Sequence, residues 1–184
     1  MNKIKNAQQA LLNWDLKGCL YLNHWSLNRY ILTFFQRISR LGDGVFWYLM
    51  LLIVWAVQGL GYSLQILYLV VASNIGTIFY KILKKQTLRP RPYQVHQVIR
   101  LGERPLDHFS FPSGHTLHAV MISVVLGSIV PTLLLLMLPF TILVALSRMI
   151  LGLHYPTDVL VGAGLGGCLA TTILYCAPLF HIVL

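Results

Sequence analysis

VFWYLMLLIVWAVQGLGYSLQILYLVVASNIGTIFY, from Val45 to Tyr80, holds no Asp, Glu, Lys or Arg. Its 36 residues exceed the roughly 20 that one helix needs to cross a bilayer. The run has a break at Gln58-Gly59-Leu60-Gly61-Tyr62-Ser63, which predicts helices over 43–59 and 63–82 joined by a tight turn. A second uncharged run, Phe109 to Ser147, breaks at Val130-Pro131-Thr132 and predicts helices over 114–130 and 132–150. Proline suits the first turn of the later helix, where its missing N–H costs nothing. A last apolar helix is predicted over 157–178. Its Gly162, Gly164, Gly166 and Gly167 allow close helix packing. No strand precedes these glycines, so they are not a nucleotide loop. The expected fold is therefore all-α and polytopic, with five transmembrane helices.

Composition agrees. The chain has 184 residues, 57% hydrophobic and 10% charged, where a soluble domain carries about 25% charged residues. Lys and Arg number 14 against 5 Asp and Glu. The cations lie outside the apolar runs, where anionic headgroups are near. No zinc finger, RNP motif or groove-reading basic helix accompanies them, so the charge points to lipid and not to nucleic acid. Cys19, Cys168 and Cys176 have no CxxC spacing and read as small packing residues.

The first 40 residues differ in character. Leu20 to Ile38 is apolar but contains His24, Arg29 and Arg37, and two arginines inside a span are costly. Trp14, Tyr21, Trp25 and Tyr30 suit the membrane interface. Residues 1–40 are expected to be interfacial amphipathic helices, with residues 41–184 forming the membrane domain. Were Leu20–Ile38 to cross, the spans would number six. Residues 1–17 lack an apolar core with a cleavage site, so no secretory signal is expected there.

Three short motifs sit at the ends of the predicted helices. They are Lys84-(six residues)-Arg91-Pro92, Pro112-Ser113-Gly114-His115, and Ser147-Arg148-(five residues)-His154-(three residues)-Asp158. In a five-span layout the 83–112 loop and the 151–156 turn fall on one side of the membrane. Four helix ends then converge there. Lys84 and Arg91 can neutralise phosphate oxygens, Arg with a bidentate fork. Ser110 or Ser113 caps a helix start, whose free N–H groups and positive dipole attract an anion. Ser113 and Gly114 can donate to that anion, and His115 stands in the first turn beside it. His154 precedes Tyr155-Pro156 and so lies in a turn. Asp158 can accept from one His154 ring nitrogen and leave the other free to attack. Arg148 points into the same mouth. His24, His96, His108, His118 and His181 read as interfacial polar residues, and Lys85, Arg100 and Arg104 as headgroup or topology signals.

With these three motifs in order, the chain resembles the type 2 phosphatidic acid phosphatases, the PAP2 superfamily. The pattern K-x6-RP, PSGH, SR-x5-H-x3-D is met without departure over residues 84–158. The resemblance implies a metal-independent membrane phosphatase acting on lipid phosphates or pyrophosphates, of undecaprenyl pyrophosphate, phosphatidylglycerophosphate or phosphatidic acid type. It implies that His154 is the nucleophile, forming a phosphohistidine, with Asp158 orienting it. His115 is implied as general acid, and Lys84, Arg91, Ser113, Gly114 and Arg148 as the phosphate cradle. No cofactor is implied, and the partners are the lipid substrate and the bilayer of a bacterial inner membrane. A phosphotransferase using the same phosphohistidine, and a non-enzymatic lipid-phosphate binder or transporter, are the alternatives. In the five-span layout all 14 Lys and Arg lie on the motif side, which favours a cytoplasm-facing site.

Overall fold

A computed structural model describes residues 2–182. Among these the regular structure is entirely helical. It comprises α1 (Asn2–His24), α2 (Arg29–Gly42), α3 (Val45–Gln58), α4 (Ser63–Thr87), the short α5 (Pro92–Val95), α6 (Gly114–Ile129), α7 (Leu134–Ile150) and α8 (Pro156–Cys176). Single 3-10 turns occupy Trp25–Leu27, Leu60–Tyr62, Pro131–Leu133 and Ala177–Phe180.

The uncharged runs break where the sequence places the breaks, with shifted edges. Gly59 adopts φ +81 between α3 and α4. The 131–133 segment becomes a 3-10 turn started by Pro131, so α7 begins at Leu134 and not at 132. The second helix outruns its predicted end at 82 and reaches Thr87. Lys84 is thereby carried on the last helical turn and not in the loop. Leu20–Ile38 is not one helix: it breaks at Trp25–Asn28, and Asn28 caps α2 by accepting from the N–H groups of Tyr30 and Ile31.

Among the described residues, three helices are long and apolar enough to cross a membrane. A fourth crossing exists if α2 and α3, bent by 53° at Gly42–Val45, count as one broken span. α6 is apolar but shorter.

α6 and α8 make the most extensive helix contact, and glycine explains it. A Cβ on Gly162 would stand 2.5 Å from the Ser113 carbonyl oxygen, and one on Gly166 2.4 Å from that of Leu117. Gly164 and Gly167 face open space. Only half of the predicted small-residue face is therefore in contact. The core lies between α3, α4, α6, α7 and α8, around Trp47, Val54, Met121, Leu126, Met137 and Val144. Phe46 stacks on Phe140 at 3.8 Å between ring centroids, with Trp47 edge-on to both. At the other end of the bundle, α1, α2, the 88–113 loop and the 151–155 turn gather over the start of α6 and α8.

Candidate active site

Each motif side chain is held by a local device. α4 ends at Leu88 in a left-handed conformation, φ 48, which turns the chain sharply after Lys84. Arg91 caps the short α5: its N–H donates to Gln94 Oε1 at 2.8 Å, and Pro92 occupies the first helical position. Ser113 stands at the N-cap of α6. Its hydroxyl pairs with Thr116 Oγ1 at 2.9 Å and not with a backbone N–H. The Ser113 N–H donates to the Asp158 carbonyl at 3.0 Å, tying the starts of α6 and α8 together.

The carbonyl of Arg148 accepts from the N–H groups of Leu153 and His154 at 3.0 and 3.1 Å, folding the 151–155 turn back on α7. Gly152 makes that fold possible. Its φ is +72, and a Cβ there would lie 2.6 Å from the Arg100 carbonyl oxygen. Pro156 then opens α8, and Asp158, three residues after the Tyr155 cap, accepts from the Tyr155 N–H at 2.8 Å.

These devices bring all eight predicted residues to one place. Lys84, Arg91, Gly114, His115, Arg148 and His154 line a cleft of about 530 Å³, together with Tyr80 and Asp107. Ser113 and Asp158 are fully buried just behind it. Arg91 Nη1 lies 3.3 Å from His154 Nε2 and donates to the Leu153 carbonyl at 2.9 Å. Arg148 donates to Ser39 Oγ of α2 at 2.6 Å, and its Nε has no partner. The dyad is looser than the spacing suggests. His154 Nδ1 is 3.6 Å from Asp158 Oδ2, too far for a hydrogen bond, and Nδ1 has no other partner. Burial, and then the charges of Arg148, Arg91 and Lys84, push the His154 imidazole well below its ordinary pKa. The ring is thus neutral at neutral pH, the state a nitrogen nucleophile needs.

Four carboxylates or cations that the motifs do not name complete the site. Asp107 bridges the cradle, with Lys84 Nζ at 2.8 Å and Arg91 Nη2 at 2.7 Å. Desolvation raises its carboxyl. The hydrogen bond and charge of Lys84, then of Arg91, outweigh that and hold it below the usual carboxylate range. Asp43, in the bend between α2 and α3, takes a short contact from His115 Nε2. Arg89, within the first motif's six-residue gap, bonds Asp158 Oδ1 at 2.7 Å. Its guanidinium lies 4.1 Å over the Tyr155 ring. Its other arm bonds Asp15 Oδ2 of α1 at 2.6 Å. Burial, and then the carboxylates of Asp15 and Asp158, push the neighbouring Cys19 thiol up to about 12. That thiol donates to the His154 carbonyl at 3.4 Å.

One signal could have found these partners. The chain has five acidic residues: Asp15, Glu103, Asp107 and Asp158 are ion-paired with Arg or Lys, and Asp43 contacts His115. Where carboxylates are this scarce beside a membrane, each one has a fixed partner. Among the described residues, no three His, Cys, Asp or Glu side chains gather as a metal site.

The cleft brings the three motif cations and a neutral imidazole to one wall. Residues 64–181 match the family model described as PAP2 superfamily. BcrC of Bacillus licheniformis, described as a bacitracin transport permease protein, is 31% identical over 129 residues, 70% of this chain and 63% of that protein. Decaprenylphosphoryl-5-phosphoribose phosphatase of Mycobacterium tuberculosis is 34% identical over 87 residues, 46% of each chain. The chain thus spans less than two thirds of the length of these curated relatives. The crystal structure of Aquifex aeolicus LpxE superposes with a TM-score of 0.75 at 25% identity, covering 88% of this chain and 94% of that one. A Bacillus subtilis structure, described as the first transmembrane PAP2 type phosphatidylglycerolphosphate phosphatase, gives 0.71 at 24% identity, covering 89% and 84%. The second likeness is one of fold.

Proposed function

The chain belongs to the PAP2 superfamily, and from that premise we propose that it is a membrane phosphatase removing phosphate from lipid phosphates or pyrophosphates through a phosphohistidine. The observation that carries this is the cleft itself. A buried neutral imidazole stands 3.3 Å from an arginine whose far arm is 2.7 Å from a carboxylate shared with Lys84. An incoming phosphate meets Lys84, Arg91, Arg148 and the N–H end of α6 at Ser113 and Gly114. These donors stabilise the charge that spreads over the equatorial oxygens.

His154 Nε2 attacks phosphorus. The N–P bond forms as the P–O bond to the lipid breaks, and His115 gives its proton to the departing oxygen. Asp158 draws in toward Nδ1 as the ring becomes cationic. Water then attacks the phosphohistidine, gives a proton back to His115 and frees His154. The sum is lipid phosphate plus water to lipid alcohol, or lipid monophosphate, plus orthophosphate. Asp43 orients the His115 ring. None of these steps uses a metal.

The decaprenyl-linked relative supports an isoprenoid phosphate or pyrophosphate as substrate. A glycerolipid phosphate such as phosphatidic acid or phosphatidylglycerophosphate fits the same mouth. The membrane domain is 41–184 with five spans, α3, α4, α6, α7 and α8. Residues 1–40 lie at the interface on the motif side of a bacterial inner membrane. What supports this is that Asp15, Asn23 and Ser39 all bond motif-side residues. The cations of α1 and α2 are thereby held on that side, which favours a cytoplasmic site.

Phosphate release by purified protein in detergent with EDTA tests the reading. Undecaprenyl pyrophosphate, phosphatidic acid and phosphatidylglycerophosphate are compared, with His154→Ala beside the parent. Release by the parent alone is expected. A second reading, lipid-phosphate transport, draws on the permease description of one relative. Bound but unhydrolysed lipid phosphate, with no radiolabelled phosphate trapped on His154, would favour it and sink the first.

A further inference from the structure

We propose that Asp15, on the N-terminal helix, is a positioning residue for Asp158, acting through Arg89 and Thr157. The inference rests on the phosphohistidine reading and extends the site to a helix that carries none of its motifs.

Asp15 is 1% exposed on a helix whose other polar residues mostly face solvent. A carboxylate is buried at such cost only when its oxygens are fully engaged, and these are. Oδ1 accepts from the Thr157 N–H at 2.9 Å. Oδ2 accepts from Thr157 Oγ1 and from Arg89 Nη2, each at 2.6 Å. Arg89 Nη1 then reaches both Thr157 Oγ1 at 2.8 Å and Asp158 Oδ1 at 2.7 Å. Asp15 therefore holds the residue before Asp158 by two bonds and the cation on Asp158 by a third. The same stripe of α1 seats closely on the turn. A Cβ on Gly18 would meet Pro156 at 2.7 Å, and Asn23 bonds the carbonyls of Arg100 and Ile150 at 2.9 Å.

Charge gives this clamp a chemical role. Arg89 and Asp158 alone would be a neutral pair beside His154. Adding Asp15 leaves the trio with one net negative charge. When Nε2 takes the phosphoryl group the ring becomes cationic; Asp158 Oδ2, 3.6 Å from Nδ1, is the carboxylate that faces it, and Asp15 keeps the charge behind that carboxylate net negative. Losing Asp15 removes that net charge while leaving Lys84, Arg91, Ser113 and Gly114 untouched. The effect then falls on the chemical step and not on substrate capture.

The test is a double-mutant cycle on the full chain in detergent, using the lipid phosphate that the parent hydrolyses fastest. Asp15→Asn is near-isosteric. Folding of every variant is checked by thermal unfolding. Asp15→Asn is expected to lower kcat about tenfold with KM within about twofold. In an Asp158→Asn background the same change should cost less than about twofold, because its target is already gone. If Asp15→Asn does not fold, Arg89→Lys replaces it. A single ammonium cannot hold both carboxylates in a fork, and the same loss confined to kcat is expected. An equal loss in both backgrounds, or a folded Asp15→Asn with parental kcat, overturns the role of Asp15 alone. A parent that releases no phosphate, or an Asp158→Asn variant that turns over like the parent, overturns this inference and the reading beneath it together.

Discussion

Asp107 shows how one side chain can oppose the function of its own site. Its carboxylate pairs with Lys84 and Arg91, the cations that the proposed reaction assigns to phosphate. A substrate must share those cations with it or displace it. Asp107 is 37% exposed and on a loop, so its hold is screened by water and its loss is modest in energy. Asp107→Asn is expected to tighten inhibition by orthophosphate by about 3- to 10-fold, or about 0.7–1.4 kcal/mol. The pH dependence follows from the depressed carboxyl. The group stays ionised through the ordinary carboxylate range, and its contribution to stability is lost only as pH falls through the lower folded value. The gain from Asp107→Asn is therefore the same at pH 6 as at pH 5, where orthophosphate stays mainly a monoanion, read as the orthophosphate inhibition constant of parent and variant. Weaker inhibition in the variant would mean that Asp107 builds the cradle and does not compete for it. Lys84 and the two histidines were legible in the sequence because each sits near a helix end that hydrophobic patterning locates, and Arg91 because the first motif places it seven residues after Lys84. Asp15, Asp43, Arg89 and Asp107 were not, since their partners lie 16 to 142 residues away and no local pattern encodes such contacts.

At the scale of elements, the α6–α8 contact sets where the start of α6 meets the His154 turn. The glycine pattern over 162–167 announced close packing, and the structure divides it by the 3.6-residue period of the helix. Gly162 and Gly166 face α6; Gly164 and Gly167 do not. That division predicts opposite outcomes for one substitution. Gly162→Ala places a methyl 2.5 Å from the Ser113 carbonyl oxygen, a backbone atom that cannot rotate away. It should destabilise the protein by about 1–3 kcal/mol and lower turnover, because Ser113 and Gly114 move with that carbonyl. Gly164→Ala should be neutral, within about 0.5 kcal/mol, with parental activity. Thermal unfolding in detergent and phosphate release check both, and equal behaviour of the two variants would refute the division. The α2–α3 bend was invisible for a related reason. The sequence reading starts the span at 43, but Asp43 and Gly44 fall in the bend and α3 starts at Val45. Only the packing of Gly42 on Val144 and the contact of Asp43 with His115 show why the chain turns there.

For the whole molecule the question is which compartment the cleft faces. Hydrophobic runs reveal spans but not their direction, and the first 40 residues decide it. Had Leu20–Ile38 crossed, Lys3, Lys5 and Lys17 would lie opposite the motifs. Instead α1 and α2 are separate helices whose inner faces bond the 97–103 loop and the catalytic turn. Asn23 takes the Arg100 N–H at 2.8 Å, and Gln36 donates to the Gly102 carbonyl at 2.6 Å. Arg40 pairs with Glu103 at 2.7 Å. In the proposed five-span layout all 14 Lys and Arg fall on the motif side, while the turns at Leu60–Tyr62 and Pro131–Leu133 carry none. Short basic loops stay on the cytoplasmic side, so the cleft is expected to face the cytoplasm and to draw on lipid phosphates of the inner leaflet. Gln97→Cys, in a background with Cys19, Cys168 and Cys176 replaced, reports this directly. An impermeant maleimide should label it only after the cells are opened, and a cysteine at Gly61 should label in intact cells. The reverse pattern would place the cleft outside. The charge asymmetry would then be set by the demands of phosphate binding, and the substrate would be a lipid of the outer leaflet.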